Sequence, residues 1–194
     1  MENLLYLCHT NTIHMKVQLK NIKTNLTFSE ETIMFTADLY INNKKIGYCN
    51  NDGRGGNTNY YGNTREDYQI ISECKEYFKS LPKKKHTING NDYEFNQTLE
   101  SEIDDIISKY VDDKEKKKFQ KKMEKDMLTK LVLGKGNPNS YEVVGWRTVN
   151  KKPITIEQMI NHPNGKENLK KTIQNMREKG YTILNTNIPQ EFLT

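Results

Sequence analysis

Cysteine is scarce in this chain and scattered. Cys8, Cys49 and Cys74 are the only three in 194 residues, and no pair has CxxC spacing. That excludes a disulfide framework and a thiolate zinc site, and a reducing cytoplasm is the expected compartment. Long apolar runs are missing as well. No stretch approaches the roughly 18 residues of a membrane span, so no membrane association is expected. The first fourteen residues, MENLLYLCHTNTIH, carry a short apolar patch but neither a basic start nor a small-residue cleavage site, so they read as an N-terminal extension rather than a secretory leader. Cys8, His9 and His14 lack a fourth ligand at metal-binding spacing, and no metal is expected.

Apolar residues are thin throughout, at 34% of the chain with a mean hydropathy of −0.90, which predicts a small core under a very polar surface. Catalytic patterns are lacking too. The serines at 29, 72, 80, 101, 108 and 140 sit in no nucleophile elbow, and His86 and His162 have no nucleophile or paired carboxylate at a recognisable spacing. The reading therefore leans away from an enzyme, and no cofactor motif is found. What is abundant is basic charge. Thirty Lys and Arg against 25 Asp and Glu give a net charge of +5, which favours anionic partners.

The order of patterns predicts an α+β protein: an N-terminal antiparallel β-meander, then helices, then a small C-terminal β-α-α-β unit. Phe35, Ala37, Leu39 and Ile41 alternate with Thr36, Asp38 and Tyr40, the period of a strand with one buried face. Asn42 to Lys45 turns the chain, Ile46 to Cys49 returns, and Thr58 to Tyr61 supplies a fourth strand. A helix over 65–80 has Thr64 as N-cap, with a hairpin around Asn89-Gly90 beyond it. A helical pattern from Leu99 to Val111 is split from a second one, Lys114 to Leu131, by a fresh capping signal at Asp112 and Glu115. The breaker GKGNPNS predicts a division into residues 15–134 and 135–194, the two packed as one compact protein. In the second part a strand covers 141–149, capping boxes at Thr155 and Asn164 open two helices, and a strand covers 181–184.

Two stretches carry candidate binding chemistry. Between the third and fourth strands lies CNNDGRGGNT, with three glycines around one arginine. Asn51, Asp52, Gly53 and Arg54 with Gly55, Gly56 and Asn57 could form a backbone anion nest from which the Arg54 fork projects, and Arg65 at the following helix start could join it. A nucleotide or other phosphate-bearing ligand is the partner so implied. An ordinary strand connection is the competing reading, and the loop is no P-loop because no lysine and hydroxyl follow its last glycine. The second stretch holds Lys114, Lys117, Lys118, Lys121, Lys122 and Lys125, a basic helix face suited to nucleic acid or an acidic protein, against which stands a plain solvated helix.

The block FTADLYINNKKIGYCNNDGRGGNTNYY and the tail GYTILNTNIP resemble small uncharacterised proteins of bacteriophages and other bacterial mobile elements. The resemblance implies an accessory role inside the host, such as interference with host defence, and assigns no site residue. Three functions follow as expectations: a non-catalytic accessory protein binding a phosphate-bearing ligand or an anionic host surface through the glycine loop, an RNA or DNA binder using the basic helix, or a virion-associated protein.

Overall fold

The structure is a computed structural model that describes residues 14–193; the expected N-terminal extension, with Cys8 and His9, lies almost wholly outside the described residues. The fold is α+β, opening with a four-stranded antiparallel sheet and followed by helices. The chain divides into two compact units, one ending at Asp112 and the other beginning at Asp113.

In the first unit the expected meander forms. Strands β1 (Val17–Thr24), β2 (Phe35–Ile41), β3 (Lys44–Asn51) and β4 (Asn59–Gly62) pair in that order. The turn between β2 and β3 is tighter than expected, using Asn42 and Asn43 at φ 48° and 67°, positive angles that asparagine tolerates. β1 carries a bulge between Lys20 and Lys23, with Asn21 at φ 52°.

Alternation gives the sheet two unlike faces. Phe35, Ala37, Leu39, Ile41, Ile46 and Cys49 are buried on the inner face. They pack against Ile71, Cys74 and Phe78 of helix α1 (Arg65–Ser80) and against Leu99, Ile103 and Ile107 of helix α2 (Leu99–Met127). Apolar residues three and four apart put one stripe of each helix on the sheet. Thr64 caps α1 as expected, its hydroxyl accepting the Asp67 N–H at 3.2 Å. A hairpin of β5 (Lys84–Ile88) and β6 (Asn91–Phe95) turns at Asn89-Gly90, whose φ values of 53° and 81° suit a two-residue turn.

Three sequence expectations are corrected. The helix does not break at Asp112: α2 runs unbroken for 29 residues. The capping spacing there is overridden because no proline or glycine interrupts propagation, and each further residue adds a hydrogen bond without a new nucleus. Second, Leu131 belongs to no helix. Residues Lys130–Gly134 form β7, the middle strand of a sheet ordered β8-β7-β9, with β8 at Glu142–Gly145 and β9 at Thr182–Ile183. Consecutive burial of Leu131, Val132 and Leu133 marks a strand covered on both faces, which shows no alternation to read. GKGNPNS thus connects two paired strands, and the units divide inside α2 instead. Third, helix α4 (Pro163–Glu178) starts before the expected Asn164 cap, with proline in its first turn and His162 as an N-cap that makes no side-chain bond.

The Thr155 and Gln158 capping box does open α3 (Ile156–Asn161). Leu169 and Ile173 of α4 are buried with Leu131, Leu133 and Ile156, and Trp146 packs half-buried against that cluster. α2 ends where two asparagines of the tail bond its last turn: Asn187 and Asn185 both donate to the Met127 carbonyl, at 2.8 and 3.4 Å, and Asn185 also accepts the β7 Val132 N–H at 2.6 Å.

Candidate nucleic-acid interface and the glycine loop

The glycine loop is built around a buried asparagine. Asn51, 5% exposed, accepts the Gly53 N–H at 2.8 Å and the Thr32 hydroxyl at 2.7 Å through Oδ1, while its Nδ2 donates to the Gly56 carbonyl at 2.9 Å and to Thr58 Oγ1 at 3.2 Å. The next two amides are also satisfied, Arg54 N–H by Asp52 Oδ1 at 3.2 Å and Gly55 N–H by Thr32 Oγ1 at 3.2 Å. The Gly53 carbonyl receives the N–H of Glu30 at 2.8 Å and of Glu31 at 3.2 Å. The anion nest expected from the glycines is therefore corrected: the donors at Gly53, Arg54 and Gly55 serve the loop's own fold. Gly53 is required for close approach, since at φ 85° an added Cβ would lie 2.6 Å from the Phe28 carbonyl oxygen.

A cleft of about 620 Å³ opens beside the loop, lined by Asn51, Gly55, Gly56 and Asn57 together with four carboxylates, Glu30, Glu31, Glu100 and Asp104. Among the described residues, no lysine or arginine lines it. Thr58 links loop to helix, its N–H donating to Glu100 Oε1 at 3.1 Å and its hydroxyl to Asp104 Oδ1 at 2.6 Å. Desolvation pushes the Asp104 carboxyl above its usual range, the Thr58 bond opposes this, and the Glu100 and Asp105 charges reinforce it. A phosphate entering this cleft meets like charge.

Arg54 is exposed, and neither it nor Arg65 is part of that lining. β4 runs back from the loop, pairing Asn59 with Asn50 and Gly62 with Gly47, so α1 begins at the opposite end of the sheet, where Lys44 Nζ meets Asp67 Oδ1 at 3.0 Å. Arg65 and the loop are not brought together. The two described thiols are buried and unreactive: burial pushes Cys49 up to about 12 and Cys74 up to about 11. Among the described residues, no three His, Cys, Asp or Glu side chains group as metal ligands, and no helix is long and apolar enough to cross a membrane.

The six lysines of the basic helix, by contrast, lie together on the part of α2 that follows Asp112. At about 100° per residue, Lys114, Lys117, Lys118, Lys121, Lys122 and Lys125 fall within about 140° of one another, and all six are exposed. The opposite side is anchored, as Phe119 meets Tyr141 edge-on at 5.3 Å and Tyr141 donates to Asp126 Oδ2 at 2.9 Å. Phe119 is thus packed rather than presented to a base. Asp126 is tied to Lys130 at 2.7 Å, and Glu115 approaches the stripe lysine Lys118 at 3.5 Å.

Two features lay beyond the sequence reading. The outer face of the first sheet presents Tyr48 and Tyr61, directly cross-strand, with ring centroids 4.9 Å apart and planes 24° apart. In the second unit a groove of about 900 Å³ has Trp146, Ile154 and Met159 among its lining, with Arg147, His162 and Asn164. Period-two alternation would put Tyr48 on the face of buried Ile46; the register shift between the Leu39–Gly47 and Tyr40–Lys45 pairs turns it outward instead, and the pairing of β3 with β4 stacks Tyr61 on it. Comparison with protein-family models, with curated proteins and with solved structures gives no match to this chain.

Proposed function

We propose that this protein is a non-catalytic, nucleic-acid-binding accessory protein of a bacteriophage or mobile element, acting in the host cytoplasm. The observation that carries the reading is the stripe of six exposed lysines on one face of α2. A regular array of cations on a rigid helix releases condensed counterions when it meets a phosphate backbone, which gives affinity without sequence selectivity. The net charge of +5 agrees with an anionic partner, and the resemblance to mobile-element proteins supports the accessory role. Capture of a phosphate-bearing ligand by the glycine loop has less support, because the loop amides are satisfied internally and its cleft is lined by carboxylates.

The test is fluorescence anisotropy of the full chain with a labelled mixed-sequence oligonucleotide. With the α2 stripe as the interface, replacing Lys117, Lys121 and Lys125 by glutamate abolishes binding, and Arg54→Ala leaves it intact. Retention of affinity by the triple variant, or its loss in Arg54→Ala, contradicts that assignment.

A further inference from the structure

The outer face of the first sheet has the composition of a stacking platform. An antiparallel sheet commonly keeps one face in water, and that face is ordinarily polar. Here Tyr48 is 50% exposed and Tyr61 38%, and their mutual stacking leaves each ring a further face. Neighbouring positions on β1 and β3 carry Lys20, Lys23 and Lys45, against the single carboxylate Asp38. Asn21 Nδ2 and Lys45 Nζ hold that carboxylate at 2.8 and 3.0 Å, and keep it below the usual range. The face is therefore cationic around paired aromatic rings.

We infer that the β1–β4 outer face binds single-stranded nucleic acid, with unstacked bases lying on Tyr48 and Tyr61 and the backbone phosphates passing the three lysines. Single strands rather than duplexes fit because the tyrosines rise from a flat surface and need an uncovered base face, which paired bases stacked in a helix do not offer. Charge selects the polymer: an acidic protein satisfies the lysines but brings no planar rings for the tyrosines. The inference rests on the nucleic-acid reading only for the class of partner, since its residues are separate from the α2 stripe.

The experiment compares a 12-nucleotide single strand with the duplex of the same sequence, on the full chain and by anisotropy. The double variant Tyr48→Ala with Tyr61→Ala loses single-strand affinity by about 10- to 100-fold, keeps duplex affinity, and is rescued by phenylalanine at both positions. Both residues lie outside the core, and an unchanged thermal midpoint shows that the variant is folded. Equal loss on single strand and duplex, no loss at all, or displacement of the single strand by polyglutamate as readily as by unlabelled oligonucleotide each overturns the inference. The α2 triple lysine variant separates the two ideas: if it abolishes duplex binding while the tyrosine variant changes nothing, the function stands and the platform falls. If the tyrosine variant alone loses single-strand affinity, the platform stands by itself.

Discussion

Asn51 and Gly53 hold the glycine loop in place, and their roles predict different costs. Asn51→Ala removes four hydrogen bonds at a site only 5% exposed, leaving buried donors and acceptors unmatched. The expected loss is about 2–4 kcal/mol in urea unfolding. Gly53→Ala forces an L side chain into positive φ against the Phe28 carbonyl and costs about 1–3 kcal/mol. Asn50, one position earlier, runs the other way. Its Oδ1 is buried with no partner among the described residues, so Asn50→Val in the same strand stabilises by about 1 kcal/mol. The need for positive φ at Gly53 and Gly55 was legible from the sequence. Its cause was not, because Thr32 and Phe28 lie some twenty residues upstream and meet the loop only through the sheet.

At the scale of elements, α2 decides most. If Asp112 capped a second helix, Asp113 would occupy its first position, where proline is tolerated. In the continuous helix, Asp113→Pro removes an internal hydrogen bond and costs about 3 kcal/mol or more. Thermal or urea unfolding of that single variant distinguishes the two architectures. Ile103→Ala, at a fully buried position facing the sheet, costs about 2–5 kcal/mol. The meander, α1 with its Thr64 cap and the Asn89-Gly90 hairpin were readable because periodicity and turn chemistry agreed locally. β7 was hidden because a strand buried on both sides has no alternation, and its neighbours lie well downstream in Glu142–Gly145 and Thr182–Ile183. The lysine stripe was readable from the sequence, because all six lysines follow Asp112 and share one helix whether or not α2 breaks there.

Over the whole molecule, charge links stability and binding. Lys44 and the Thr64 bonds hold Asp67 below its ordinary value of 3.8 against an opposing desolvation, and Lys130 and Tyr141 do the same for Asp126. Carboxylates depressed in the folded state contribute stability above the unfolded value, and lose it as pH falls through the folded one. Stability therefore declines below about pH 4, and Lys44→Ala, which removes the largest cause at Asp67, makes that decline shallower in urea titrations across the acid range. Asp104 has the opposite sign: its raised carboxyl weakens the fold as pH rises and it ionises, so Asp104→Asn gains relative to the parent above that range.

Nucleic-acid binding through the α2 stripe is tested most directly by the salt dependence of affinity. For duplex DNA the logarithm of the binding constant falls with the logarithm of salt concentration by about 0.9 per phosphate neutralised. Replacing Lys117, Lys121 and Lys125 by alanine should make that slope shallower by about 2.7 while the thermal midpoint stays near the parent's. A slope unchanged by the three substitutions, or no dependence on salt in the parent protein, would contradict binding through the stripe.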